Sequence, residues 1–230
     1  MNRILQPTPN GRSGKSLMML VLALLCPSMS CLAVGSYFVA TTGADSNDGS
    51  ETKPWKTIQK AADTVAAGDT VTVLAGNYAS ERVTVSRSGT SEARITYQAK
   101  GQVVMKGFKI IASHVTVRGF EIADTDYVRW HADASAGIYV KGDHVILENN
   151  YIHDAALEGI VLFGTPAEPA ATSDCIVRNN RLFRNEMAGI SVAGRNNLVE
   201  GNEIWGTVQY HPKVLAAKGP CSIGAFEYRK

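Results

Sequence analysis

The sequence predicts an all-β solenoid, a chain of short strands that stack coil upon coil, and three observations lead to this prediction. A five-residue apolar phrase occurs three times, at residues 136–140, 158–162 and 188–192. An eight-residue phrase occurs four times, at residues 115–122, 145–152, 175–182 and 197–204. Apolar residues in both phrases alternate with a period of two, which is the period of a strand and not of a helix. Strand repeats of this length are typical of solenoids, in which each coil buries a face on its neighbours.

The spacing of the phrases indicates which residues stack. Ile138 and Ile160 are 22 residues apart, whereas Ile160 and Ile190 are 30 apart, and the excess is the proline-containing segment 164–173. Asparagine recurs at one place in the eight-residue phrase, at residues 150, 180 and 202. Asparagine tolerates tight turns, and amides stacked at the strand spacing of ~4.8 Å can hydrogen-bond as a ladder. We therefore predict that the three isoleucines stack inside the tube and that the asparagines line one corner.

The remaining elements follow in chain order. Ser36–Ala40 reads as a first strand, and 41–50 as a turn whose acidic residues lack the spacing of a calcium-binding EF-hand loop. Residues 54–68 predict an amphipathic helix that begins at a proline, ends at a glycine and covers the open edge of the solenoid as an N-terminal cap. Its apolar face consists of Trp55, Ile58, Ala61, Ala62 and Val65. Alternating runs at 69–78, 82–86 and 93–98 predict further strands.

Composition sets limits on the class of protein. The 230 residues, 45% of them hydrophobic, are enough for one domain with a continuous core. Residues 1–33 hold three basic residues and no acid, with a ten-residue apolar run from Leu17 to Cys26. That run is too short to span a bilayer, which takes about 20 residues, and is typical of a secretory signal peptide. We expect cleavage after Ala33, which leaves one domain at 34–230 without a membrane span. We expect this domain to be a secreted or periplasmic monomer. A lipoprotein at Cys26 or Cys31 is the weaker alternative.

Charge and cysteine content narrow the expectations further. Without residues 1–33 the chain carries 20 basic and 21 acidic residues, which gives no basis for nucleic-acid binding. Cys175 begins a repeat strand, and we favour a small core residue there. A disulfide between Cys175 and Cys221 is the alternative in an oxidising compartment.

Several phrases also resemble a known family. Residues 54–58, 67–71 and 75–78 are similar to the opening coils of secreted β-helix polysaccharide lyases, and 219–228 resembles the closing phrase of secreted or surface β-helix proteins. Together with the repeats, they make the chain resemble the pectate-lyase-like superfamily over residues 36–228. The resemblance implies a right-handed parallel β-helix with an N-terminal capping α-helix, acting on an acidic polysaccharide such as pectate or alginate. Only about six or seven coils fit between the two ends, so a shortened copy of a longer lyase is an alternative.

The loop at 123–135 is the richest candidate site, because it leads into the first apolar phrase with many polar and aromatic side chains. Alternation in the following strand points Tyr139 and Lys141 outward beside it. A lysine or arginine can remove the proton next to a uronate carboxylate, aromatic rings stack on sugars, and aspartates bind calcium. The resemblance implies a calcium-assisted β-elimination on this face. The predicted residues are Lys141 and Arg129 for catalysis, Tyr127, Trp130, His131 and Tyr139 for substrate, and Asp124, Asp126 and Asp133 for calcium.

Two other functions remain open from the sequence. In the second and third apolar phrases, the positions that correspond to Tyr139 and Lys141 are Val161 and Phe163, then Ser191 and Ala193. Because these residues are uncharged, they favour a non-catalytic carbohydrate-binding or cell-envelope protein. The adjacent acids that supply calcium ligands in the resembling lyases are absent, and the loop aspartates could simply be paired or solvated. A glycoside hydrolase needs two carboxylates across a groove, for which His153, Asp154 and Glu158 are the candidates.

Overall fold

The computed structural model describes residues 34–128, 131–164 and 171–207, which form fourteen strands and two short helices. The strands are β1 Ser36–Val39, β2 Thr70–Val85, β3 Ile95–Ile110, β4 Val115–Arg118, β5 Glu121–Ala123, β6 Ile138–Val140, β7 Ile146–Glu148, β8 Tyr151–His153, β9 Ile160–Leu162, β10 Ile176–Arg178, β11 Arg181–Phe183, β12 Ile190–Val192, β13 Leu198–Glu200 and β14 Glu203–Trp205. The helices are α1 Ile58–Thr64 and α2 Ala132–Ser135.

The strands stack in parallel into three faces of a tube. Face A contains β1, the first parts of β2 and β3, and then β4, β7, β10 and β13. Face B contains the middle of β2 and β3, followed by β5, β8, β11 and β14. Face C contains the ends of β2 and β3, followed by β6, β9 and β12. Successive coils thus start at residues 70, 95, 115, 146, 176 and 198, and the predicted parallel β-helix is confirmed.

The core is a set of inward columns, one residue per coil. Ile138 lies in register with Ile160 and Ile160 with Ile190, as predicted. Ile138 and Ile160 are completely buried. Burying an isoleucine side chain contributes roughly 1.5–3 kcal/mol, so a column repeated along three faces supplies most of the driving force for folding. The period-two alternation places the intervening side chains on the outside of the tube.

The predicted asparagine ladder is present at the corner between faces A and B. The Asn150 amide donates to Asn180 Oδ1 at 3.0 Å, and the Asn180 amide donates to Asn202 Oδ1 at 3.0 Å. The same oxygens accept the backbone N–H groups of the preceding coil, and Phe120 closes the ladder by donating its N–H to Asn150 Oδ1. The residue before each asparagine has a positive φ, which turns the chain from one strand into the next. Gly119, which precedes Phe120 at the same place in the first copy, also has a positive φ, so glycine or asparagine at 119, 149, 179 and 201 explains this part of the repeated phrase.

A glycine directly precedes each of β6, β9 and β12, because the coils approach one another closely there. A Cβ on Gly137 would lie 2.6 Å from the carbonyl oxygen of Gly159, and a Cβ on Gly159 would lie 2.7 Å from that of Gly189. These carbonyl oxygens accept backbone hydrogen bonds from the neighbouring coil, so they cannot move aside without breaking those bonds. The glycine of the five-residue phrase is therefore a packing requirement.

Helix α1 is shorter than the predicted helix at 54–68. Thr57 caps its start by accepting from Lys60 N–H, and Asp45 holds the two residues before the helix through their backbone N–H groups. The preceding Trp55 is therefore extended and bridges to Val39. The predicted apolar face is nevertheless buried, since Trp55, Ile58, Ala61, Ala62 and Val65 are at most 2% exposed.

The capping role of α1 is visible in its contact with face C. The Gln59 side chain accepts from Thr84 N–H at 2.8 Å and donates to the Thr84 carbonyl at 3.1 Å. A neighbouring strand would make the same pair of hydrogen bonds, so the helix covers the edge of the first coil.

Other predictions concern the chain termini and Cys175. Residues 1–33 and Cys221 lie outside the described residues, so the signal peptide and the disulfide stay predictions. Cys175 is buried and forms no disulfide with another described residue, which agrees with a core role, and burial raises its pKa to about 11. None of the helices in the described ranges has the length and apolarity to cross a membrane.

Replacing Asn180 by Asp tests the ladder. The substitution removes the two donations from Asn180 Nδ2, to the Leu147 carbonyl and to Asn202 Oδ1, at a site with no solvent exposure. We expect a loss of roughly 3–5 kcal/mol in the free energy of unfolding, measured by urea titration. The exposed Asn77→Asp is the control, because an aspartate there still accepts from Ala79 N–H. Equal stability of the two variants would show that the ladder does not stabilise the fold.

Candidate functional site

The outer side of face C carries a row of side chains that the strand register brings together. Lys109 lies in register with Tyr139, and Tyr139 with Val161. Lys141 follows β6 at its end and is exposed. Lys141 Nζ is 5.6 Å from the centre of the Phe163 ring, which in turn is 5.4 Å from the ring of Tyr139. Two lysines and two aromatic rings thus share one surface.

Arg82, at the start of the face C part of β2, fixes the candidate loop onto this surface. Its guanidinium donates to the carbonyl oxygen of Ala136 at 2.7 Å and to that of Asp133 at 2.9 and 3.3 Å. These carbonyls lie around the end of α2, where a positive charge is favourable. Burial lowers the pKa of Arg82 to about 10, and the group still stays charged at neutral pH. The arginine therefore acts as the anchor of the loop.

The loop also holds itself in place through buried hydroxyl groups. Thr125 Oγ1 donates to the Ser135 carbonyl at 2.5 Å, and Ser135 Oγ accepts from Val128 N–H at 2.7 Å. Thr125 and Ser135 are both completely buried. The two ends of the loop are thus tied together on the outside of face C.

The loop carboxylates form ion pairs with lysines of the preceding coil. Asp133 Oδ2 lies 2.7 Å from Lys109 Nζ, and Asp126 Oδ1 lies 3.0 Å from Lys106 Nζ. The hydrogen bond from Lys109 lowers the pKa of Asp133 below its ordinary value. His131 Nδ1 is 3.6 Å from Asp133 Oδ1, and the Asp124 carbonyl accepts from Lys106.

This arrangement does not fit a calcium site. Calcium takes six to eight oxygen ligands at one point, whereas Asp126 and Asp133 each face a different ammonium group. Among the described residues, no group of three or more His, Cys, Asp or Glu side chains is placed to hold a metal ion. Calcium therefore remains a prediction from the sequence that these carboxylates do not support.

Helix α2 covers part of the outward row. Ala136, Tyr139 and Val161 form a small apolar cluster on the outside of face C, with Ala132 and Phe163 packed against it. Tyr139 points outward as predicted, but only 7% of it is exposed. Its ring therefore forms the floor beneath the loop, and little of it is available to a sugar.

The predicted site residues do not all lie at one place. Lys141, Tyr139, Asp133 and His131 come together at face C, whereas Asp126 pairs with Lys106 and Asp124 is exposed. Tyr127 is half-buried in the loop. Arg129 and Trp130 lie outside the described residues, so their roles stay predictions.

Sequence reasoning missed Lys109 and Arg82, although a signal for Lys109 existed. Residues 107–110, Gly-Phe-Lys-Ile, are an earlier copy of the glycine-led apolar phrase, and 108–110 lie in register with 138–140. Aligning that copy would have placed Lys109 outward beside Tyr139. The contacts of Arg82 depend on the path of the loop at 123–135. This loop occurs only once, so the repeats do not predict its path.

The proposed hydrolase residues do not share one surface. His153 is held between Asp154, at 2.7 Å, and Glu121, at 3.3 Å, on the outside of face B. Glu158 precedes β9, and its buried Oε2 has no hydrogen-bond partner among the described residues. Burial raises the pKa of its carboxyl group above the ordinary value.

The structure is that of a parallel β-helix in which a loop with a short helix covers part of one face. Comparison with known proteins gives its family. The sequence profile described as "Pel9A-like, right handed beta helix region" matches residues 37–207. Since this range is most of the chain, the protein belongs to that family and its tube is right-handed.

Individual relatives agree with this assignment. The uncharacterized protein YwoF of Bacillus subtilis (strain 168) is 32% identical over an alignment that covers 51% of this chain and 29% of that protein. The structure of pectate lyase Pel9A matches with a TM-score of 0.61 at 22% identity, covering 73% of this chain and 46% of that one. An alginate lyase from Paenibacillus sp. matches with a TM-score of 0.53 at 18% identity, covering 68% and 56%. At these identities the two structures show a shared fold, and the chain spans only part of each relative.

Replacing Arg82 by Gln tests the anchoring of the loop. The change removes donors to the Asp133 and Ala136 carbonyls, so we expect amide hydrogen exchange at residues 131–136 to accelerate about tenfold or more. Mass spectrometry of deuterated peptides measures the exchange. Arg87→Gln, at an exposed arginine of the same region, is the control. Unchanged exchange in Arg82→Gln would contradict the anchoring role.

Replacing Glu158 by Gln tests the buried carboxyl group. Because its folded-state pKa lies above the ordinary value of 4.5, its contribution to stability is complete below pH 4.5 and is lost as the pH rises through the folded-state pKa. We expect Glu158→Gln to match the parent near pH 4 and to melt at a higher temperature near pH 7. Thermal unfolding followed by circular dichroism measures this, with the exposed Glu200→Gln as the control. A variant less stable than the parent at pH 7 would contradict the expectation.

Proposed function

We propose that this protein acts on an acidic polysaccharide that lies across the outer side of face C. The observation that carries the proposal is the pair of outward lysines, Lys109 and Lys141, on neighbouring coils of one sheet. Their Cα positions are separated by one strand spacing and two residues along the strand, about 8 Å. Lysine side chains that start this far apart can both reach one extended polymer chain and contact its carboxylates. Membership in a family whose fold is shared with polysaccharide lyases supports the same class of substrate.

The proposed reaction is a β-elimination in which Lys141, as the neutral amine, is the base. The base removes the proton on the carbon next to the uronate carboxylate, a carbon–carbon double bond forms, and the bond to the leaving sugar oxygen breaks. The proton that Lys141 has taken up passes to this oxygen, directly or through solvent, so Lys141 is regenerated and no water is consumed. Negative charge develops on the carboxylate before the bond breaks, and nearby cations stabilise it.

Lys109 is the cation that fits this second role. Asp133 holds its ammonium group at 2.7 Å, which fixes the direction of the lysine side chain. A uronate carboxylate that approaches beside Asp133 would share the remaining ammonium protons. Arg82 supports the arrangement indirectly, because it holds the backbone of Asp133.

A second candidate is a non-catalytic protein that binds the same polymer. Val161 lies in register with Tyr139, and Ser191 lies in register with Val161, so the row loses its charges after β6. Lys109 is also already neutralised by Asp133. These observations favour binding through Lys141 without cleavage.

The two candidates separate in one assay. We expect new ultraviolet absorbance from unsaturated uronide when the protein is incubated with pectate, alginate or a glycosaminoglycan. Lys141→Ala should lower the rate by a factor of about 100 or more, and Lys100→Ala, at an exposed lysine away from face C, should not. Parallel reactions with calcium and with a chelator test the metal prediction separately.

The possible failures have distinct meanings. Absence of product from every polymer, with binding retained in affinity gels, would support the non-catalytic protein. Full activity of Lys141→Ala would remove Lys141 as the base. Neither product nor binding with any acidic polymer would contradict the proposed function.

A further inference from the structure

A second surface lies on the outside of face B, away from the candidate site. It is a strip of aromatic and basic side chains on three successive coils, formed by Tyr151, His153, Arg181, Phe183, Arg184 and Trp205. We call it the aromatic strip. Trp205 lies on β14, the last described strand, where it is 37% exposed and the inward-facing Ile204 beside it is 48% exposed.

The strand register builds the strip. Tyr151 lies in register with Arg181, and Phe183 lies in register with both His153 and Trp205. The residues between them, Ile152 and Leu182, point inward and are completely buried. The strip thus follows from a fixed alternation, with one side chain per coil in each column.

Contacts within the strip hold it rigid before any partner arrives. The Phe183 and Trp205 rings stack at 5.3 Å, and the Arg181 guanidinium lies 5.3 Å from the ring of Trp205 and 5.5 Å from that of Tyr151. Arg184 lies over Phe183 at 5.0 Å. Side chains that are already ordered lose little conformational entropy on binding, so such a surface is well suited to a ligand.

The charges of the strip compensate one another. Arg181 Nε lies 3.2 Å from Glu203, Arg184 lies 2.6 Å from Asp154, and His153 lies between Asp154 and Glu121. These carboxylates leave the strip without an excess of positive charge. An anionic chain therefore gains less here than on face C, where Lys141 is exposed.

We propose that the aromatic strip is a second sugar-binding surface, which takes an uncharged pyranose chain. The C–H groups of the sugar contact the exposed parts of the Trp205 and Tyr151 rings, while its hydroxyl groups exchange hydrogen bonds with Arg181 and Glu203. The aromatic rings match the C–H groups of a neutral sugar, and the paired arginine and carboxylate groups match its hydroxyl groups. The inference rests on the proposed function only for its premise that the protein handles polysaccharides.

Binding of neutral polymers tests this surface. We expect the protein to be retarded in affinity gels containing xylan, galactan or glucomannan, with an affinity that hardly changes at high salt. Trp205→Ala should weaken that binding about tenfold, and Trp205→Phe should retain most of it. Phe183→Ala gives a second, independent variant in case one of them unfolds, which melting curves detect.

Matched controls separate this surface from face C. Lys141→Ala should leave neutral-polymer binding unchanged, and Trp205→Ala should leave the turnover or binding of acidic polymers unchanged. Arg118→Ala, at an outward arginine of face A, is the control for Arg181→Ala, which should weaken neutral-polymer binding.

Three results would overturn the proposal. They are no binding to any neutral polymer, full binding by folded Trp205→Ala and Phe183→Ala, or concentration-dependent dimerisation that Trp205→Ala abolishes. The last would mean that the strip holds a second copy of the chain. Each is distinguishable from failure of the proposed function, which depends on acidic polymers and on Lys141.

Discussion

The in-register stacking of one coil upon the next is the constraint on which the rest of this structure depends. Side chains in strands alternate strictly, so a slip of one residue would move every buried side chain to the outside. The buried asparagine ladder fixes the corner between faces A and B, because each amide satisfies backbone groups of the preceding coil as well as its neighbouring amide. With that corner fixed, the positions of Lys109 and Tyr139 on face C and of Phe183 on face B follow from their places in the strands.

Long-range contacts of charged side chains then hold the loop of the candidate site against this tube. Arg82 comes from the first coil, yet it holds carbonyls at 133 and 136, which belong to the loop of the third coil. The Lys109–Asp133 pair joins the second coil to the same loop. Surface ion pairs usually contribute little to stability. Their effect here is geometrical, since they decide which outward residues of face C the loop covers and leave Lys141 exposed.

The features that repeat could be predicted from the sequence, whereas those that occur once could not. The isoleucine column, the asparagine ladder and the apolar face of α1 follow from periodicity and turn chemistry. β2 and β3 were harder to recognise, because each runs through all three faces as one strand, and the register between them shifts near Leu74 and again near Tyr78. β3 lacks the glycine and asparagine pattern that marks the turns between faces in the later coils. The face C part of β3, which contains Lys109, was therefore not identified from the sequence. The path of the loop depends on Arg82, which is 51 residues from Asp133.

The corner between faces B and C explains how one tube can offer two different surfaces. In the third coil this corner holds the long loop with α2, which folds over face C and covers Tyr139 and Val161. In the next two coils the corner is only a short turn, and Tyr151, His153 and Phe183 on the outside of face B are partly exposed. Face C has an exposed lysine beside carboxylate-bound Lys109, whereas the charges of face B are compensated within the strip. Electrostatic attraction falls with salt and stacking does not, so the two proposed surfaces differ in how their binding of polymers would depend on ionic strength.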